Sequence, residues 1–314
     1  MRKCSRRGFA GFLLAPLLRP LRLSGQSPAT APVPQPPPNP GEPAAAASSR
    51  TTSRTYRADA VVLFLGISIY RRAGVGGGQA SLEETGEGAS LRRTLFFSGG
   101  SDPKRAHGLS RLGWMREVVL GPASAPSQAD YFGVLTSSPE ESLEHARQSV
   151  AAPASGRSLF SAVSGRNTAG HSRSAVTHFE FAAGAIWSDS SLIEQAQSTF
   201  HDGVDWHETS WPKSPNQAPP TFLFQLAALL KQRTRRAVGR YVYNEQEYLV
   251  ELDSPETGRD RDHLRPVRGM IRNLRTGRDY LFRLWLDEAS DSVVPVRIEF
   301  QPRSFLRLTF EAVP

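Results

Sequence analysis

The segment HDGVDWHE gathers His201, Asp202, Asp205, His207 and Glu208. These are the side chains of the chain best suited to chemistry. Imidazole and carboxylate together favour zinc or manganese. On an extended strand, residues 201, 205 and 207 would share one face, so His201, Asp205 and His207 are the candidate metal ligands. The segment lacks the spacings of established zinc sites. It also runs into the proline-rich turn WPKSPNQAPP, and a polar loop or edge strand is the plainer reading.

Other chemistries find less support. The run Gly170-His171-Ser172-Arg173-Ser174 fails the Gly-x-Ser-x-Gly elbow at its last position. No Walker-type lysine motif is present, and Glu140-Glu141 read as helix-capping charge. Gly74, Gly76, Gly77 and Gly78 follow the apolar run 60–70 and suggest a phosphate loop, but Gln79 stands where the dinucleotide fingerprint needs its third glycine. No βαβ unit can be drawn around them. They are read instead as the reversal of a first β-hairpin. Trp114, Trp187 and Trp285 lie in strand-like apolar contexts and read as core. The only cysteine is Cys4, which excludes a disulfide framework and thiolate chemistry in a mature chain. No cofactor is expected.

The net charge of +8 invites an anionic polymer as partner, but six of the 38 basic side chains lie in residues 1–31, where there is no acid. The remaining 32 face 30 acids, so the nucleic-acid argument lapses. Those N-terminal residues read as an export signal. Ser5, Arg6, Arg7 and Phe9 fit the twin-arginine pattern, and Arg19 follows an apolar segment too short to span a bilayer. The expected partner in export is the Tat translocon, and the expected location is periplasmic or otherwise extracytoplasmic. Residues 32–54 are rich in Pro, Ala and Ser and read as a disordered tether. No transmembrane helix is expected in the mature chain.

Residues 55–314 must then form one body, and its period is two. Val294, Val296, Ile298 and Phe300 alternate with polar residues, and Leu306, Leu308 and Phe310 do so again. Thr276-Gly277 and Asn244-Glu245 mark further hairpin turns. The fold class is mainly β: an antiparallel curved sheet or half-barrel with one or two inserted helices. One helix opens on a capping box at SPEESLEHARQSV. The other, PPTFLFQLAALLKQRTRR, puts Phe222, Leu226, Leu229 and Leu230 on one face. That face would plug the concave side of the sheet and line a ligand cavity. Residues 151–175, rich in Ser, Gly and Ala, read as a mobile insertion.

The stretch YRADAVVLFLGISIYRRAGVGGGQASLEE, the helix PPTFLFQLAALL, and the ending with Trp285, Leu286, Asp287, Pro295 and Val296 resemble the exported bacterial family called domain of unknown function 3108. The resemblance spans about 56–310 and implies an antiparallel, barrel-like envelope protein with no assigned activity. A looser likeness in architecture links it to periplasmic lipoprotein carriers, by analogy of fold. Three functions follow in order: a non-enzymatic binder of an apolar or amphipathic envelope ligand, an assembly factor for envelope polymers, and a metal-dependent enzyme centred on His201–Glu208.

Overall fold

The structure is a computed structural model, and it describes residues 49–64, 67–106, 111–136, 157–182, 184–201, 204–212, 215–254, 263–303 and 306–314. Among these, fourteen antiparallel strands form one sheet. They are β1 Ser49–Phe64, β2 Ile67–Thr85, β3 Arg92–Ser101, β4 Leu112–Leu120, β5 Gln128–Thr136, β6 Arg157–Thr168, β7 His171–Ala182, β8 His207–Ser210, β9 Arg236–Tyr243, β10 Gln246–Asp253, β11 Leu264–Asn273, β12 Asp279–Asp287, β13 Arg297–Arg303 and β14 Leu306–Ala312. Two α-helices interrupt them, α1 Ser190–Ser198 and α2 Phe222–Lys231.

The spatial order runs β8 through β1 and then β14 through β9, so the sheet is a meander whose first and last strands pair in the middle. It curls without closing. The curl is visible where Tyr131 of β5 meets Tyr243 of β9, ring centroids 4.9 Å apart, although the two strands are far apart in the order. Curling keeps both ends of a wide sheet away from edge-to-edge pairing.

Each face has its own core. The concave core joins Tyr56, Ala58, Leu82, Leu95, Val119, Tyr131, Tyr241, Tyr248, Val250, Leu284 and Phe310 to α2. The convex core is local. Leu192 and Ala196 of α1 pack with Leu112, Val134, Phe160, Ala162 and Phe179 of β4 to β7. Among the described residues the convex face of β9 to β14 carries no helix, and its residues alternate charged-out with apolar-in, as in Arg236-Ala237 and Arg283-Leu284. Close approach of rings to backbone shapes the concave side. A Cβ on Gly165 would overlap the Tyr131 ring, and one on Gly133 would stand 2.8 Å from the Tyr243 hydroxyl.

Several expectations need correction. Residues 157–175 are not a mobile insertion: they are β6 and the first part of β7, the hairpin that builds one end of the sheet. Small residues there pack beneath α1 on one face and Tyr131 on the other. The tether does not extend through residue 54, because β1 starts at Ser49 and pairs with Thr85 and Glu84. Gly76, Gly77 and Gly78 are not a reversal. They lie inside β2 and pair with both β1 and β3. Gly74, at φ +62, marks the irregularity where the β1–β2 register shifts between Ala58 and Ala60. The capping-box helix and Ser5, Arg6, Arg7 and Phe9 lie outside the described residues. No helix among the described residues is long and apolar enough to cross a membrane.

Candidate functional site: a buried carboxylate beneath the plugging helix

Glu117 belongs to β4, and alternation turns it, with Met115 and Val119, to the concave side. It is fully buried. Its carboxylate accepts from the Thr221 hydroxyl at 2.6 Å and from the N–H groups of Leu223 and Phe224, each at 2.9 Å. Thr221 occupies the N-cap position of α2, yet its own side chain does not cap the helix. The acid of another strand takes that role, satisfying donors that a helix start leaves open and meeting the positive end of its dipole. Burial nevertheless dominates and pushes the Glu117 carboxyl up to about 7, against the lowering effect of its hydrogen bonds.

Four tyrosines surround this anchor. Tyr241 stacks on Tyr248 at 5.0 Å, and Phe222 of α2 lies 5.2 Å from Tyr241. The Tyr131 hydroxyl accepts from the Asn244 N–H at 2.9 Å. Burial pushes the Tyr131 phenol up to about 12 and those of Tyr241 and Tyr243 well above the usual tyrosine range. None of the four phenols supplies an accessible base. Glu117, with its lone pairs taken by α2, is chemically an anchor.

The segment leading into α2 ties together the two ends of the sheet. Ala218 N–H donates to the Pro126 carbonyl at 2.8 Å, Asn167 Nδ2 to Pro219 at 3.0 Å, and Val242 N–H to Pro220 at 2.9 Å. Asn167 is itself fixed by the Ser172 hydroxyl at 2.7 Å. At the other end of α2, Lys231 and Arg93 both reach Glu84 Oε1 at 3.0 Å. Of the residues expected to line a cavity, Leu229 and Leu230 are buried in the concave core, while Phe222 and Leu226 pack against it and are partly buried.

The candidate metal ligands are dispersed in secondary structure. His201 lies in the turn after α1, its N–H donating to Ser198 at 3.1 Å, Asp205 is in an irregular stretch, and His207 opens β8. They do not sit on one strand as the alternation argument requires, because the strand begins only at His207. Asp202 lies outside the described residues. Among the described residues no three His, Cys, Asp or Glu side chains come together as a metal site. Trp206 instead stacks under Arg173 at 4.4 Å. The tryptophans read as core are half-buried. Trp114 sits between Phe96 and Phe132 at 5.4 and 5.7 Å, and Trp285 lies beneath Arg297. Ser172, in the failed elbow, is buried.

Sequence reasoning missed Glu117. An acid in a strand reads as a solvent-facing position, and its partner Thr221 is 104 residues away. It also missed the pairing of the Ser161 hydroxyl with His178 Nδ1 at 3.0 Å. A single register position of the β6–β7 hairpin accounts for that pair.

No family model matches the chain, so membership of the domain of unknown function 3108 family finds no support there, and no curated protein matches it. Among solved structures, a β-barrel-like protein of domain of unknown function 1849 from Brucella abortus is similar at TM-score 0.44 and 6% identity, over 83% of this chain and 95% of that one.

Proposed function

We propose that the chain is an exported, non-enzymatic protein of the cell envelope that binds an amphipathic ligand on its concave face, with α2 as the plug a ligand displaces or lies against. One observation carries this reading. The concave face is lined by apolar residues on every strand but β8, and the short helix filling it leaves Phe222 and Leu226 only partly buried. Ligand sites are concave and mostly apolar, with few polar groups. Here the polar group is Glu117 with its tyrosines. A fluorescent fatty acid added to the mature chain should bind saturably, and Leu226→Asp should weaken it about tenfold or more. A probe that never saturates, or that binds both proteins alike, contradicts the proposal.

The second reading, an assembly factor for envelope polymers that uses an exposed face, is favoured by how fully α2 occupies the concavity. Phe224, Leu229 and Leu230 are all buried there. Failure of the fatty-acid probe, with retained binding to isolated envelope polymer, would select it.

A further inference from the structure

The convex face holds a second concentration of buried charge, remote in character from α2. Asp59 of β1 and Glu299 of β13 lie on either side of Thr309 of β14 in one register row. All three are buried, although they belong to the polar face of the sheet. Arginines close over them. Arg71 Nη2 is 2.7 Å from Asp59 Oδ2, and Arg57 Nε is 3.7 Å from Asp59 Oδ1. Arg297 Nη2 is 2.6 Å and Arg307 Nη1 is 3.9 Å from Glu299. Glu311 joins through Arg57 at 3.7 Å and Arg297 at 3.6 Å. Arg283 stands directly opposite Glu299 across the β12–β13 pair. Nearby Arg105 leaves the balance unchanged, because Asp102 pairs with it at 3.6 Å.

Two features separate this cluster from a self-balancing ion network. The first is stoichiometry. Among the described residues, the ion pairs and the register position of Arg283 set Arg57, Arg71, Arg283, Arg297 and Arg307 against Asp59, Glu299 and Glu311, an excess of two positive charges. The second is donor satisfaction. Arg297 Nε and Arg307 Nε are buried and have no hydrogen-bond partner among the described residues. Buried donors are ordinarily paired, and leaving one unpaired is costly. The guanidinium of Arg297 also lies 4.7 Å over the Trp285 ring. Planar, preset arginine forks suit oxyanions.

We infer that this cluster binds a doubly charged oxyanion of the phosphate class. Asp59 and Glu299 hold the arginines in place, and the exposed guanidinium groups take the ligand while the Arg297 and Arg307 charges stand behind them. Arg57 and Arg71, whose side chains are 57% and 58% exposed, form the open side of the site. The phosphate can be free or a lipid headgroup.

The test is calorimetric titration of the mature chain with inorganic phosphate, paired with sedimentation onto phosphatidylglycerol vesicles. The variants are Arg297→Gln and Arg57→Gln. The control is Arg240→Gln, on the same face but paired with Glu247 at 2.8 Å. Each cluster variant should bind about tenfold more weakly while the control is unchanged, the effect of losing one charge-assisted hydrogen bond. If Arg297→Gln does not fold, the more exposed Arg57→Gln decides alone. This pattern with inorganic phosphate identifies a free anion, and the same pattern on vesicles alone identifies a headgroup. No saturable binding in either assay, or equal loss in the control and cluster variants, overturns the site.

Discussion

Replacing Glu117 with glutamine separates the two opposed effects at the buried anchor. The carboxylate receives three hydrogen bonds from Thr221, Leu223 and Phe224, which favour its charged form, while complete burial opposes it. If burial wins, the carboxyl titrates at about 7 in the folded state against 4.5 ordinarily. That difference destabilises the ionised folded protein by about 3 kcal/mol. The sign follows from linkage. A raised folded pKa means a contribution fully present below pH 4.5 and lost as pH rises through 7. Glutamine keeps one acceptor, adds an amide that conflicts with the helix N–H groups, and does not ionise. At pH 5, Glu117→Gln should therefore cost about 2 kcal/mol through weakened hydrogen bonds. By pH 8 the cost should shrink to near zero, because the native protein now carries the ionisation penalty. Denaturant unfolding of both mature chains at pH 5 and pH 8 measures this, as the difference between them isolates the one group. A cost that grows with pH would show that the helix N–H groups hold the carboxyl below its ordinary value. Equal costs at both pH values would mean that Glu117 does not titrate in this range. Either result refutes the reasoning.

Other outcomes follow from single contacts. Glu117→Ala leaves three donors without their acceptor and should lower stability by roughly 3–5 kcal/mol at pH 5, read as a melting point lower by roughly 10 °C, with a smaller cost at pH 8 where the native protein carries the ionisation penalty. Gly165→Ala forces a methyl into the Tyr131 ring and should cost about 1–3 kcal/mol in denaturant unfolding. Leu192→Ala empties the centre of the α1 core and should cost about 2–5 kcal/mol, with hydrogen exchange accelerated in α1 ahead of β10. Changing both Arg6 and Arg7 to Lys should leave precursor in the cytoplasm, which fractionation and immunoblotting detect. Normal export of that variant removes the twin-arginine assignment.

The sequence disclosed structure where only one face of the sheet is covered. Strands β9 to β14 present Arg and Glu to solvent and Leu, Val, Tyr and Phe to the core, and the alternation survives. The hairpin turn Asn244-Glu245 was also legible, and both residues take positive φ there. Helix α2 announced itself by its apolar face. Strands β6 and β7 did not, for a physical reason. They pack against α1 on one side and the tyrosine layer on the other, so apolar and small residues occupy both faces and no period-two signal remains. Ser161, Gly165 and Ala175 fit under large neighbours because they are small, and small residues in sequence look like linker. Glu117 and the Asp59–Glu299 pair were hidden differently. Asp59 and Glu299 sit on the polar face as the alternation requires and are buried only by arginines of their own and neighbouring strands. Glu117 breaks the alternation and is held on the apolar face by Thr221 and α2, more than a hundred residues along the chain.

The claim that the concave face is a ligand site is tested most directly on native material. Protein purified from its own envelope should be extracted with organic solvent and the extract analysed by mass spectrometry beside the intact protein mass. A single class of amphipath recovered near equimolar amount, and displaced by the fluorescent fatty acid, is the expected result. Repeated recovery of no such molecule from folded protein would contradict the account and leave α2 as a permanent part of the core.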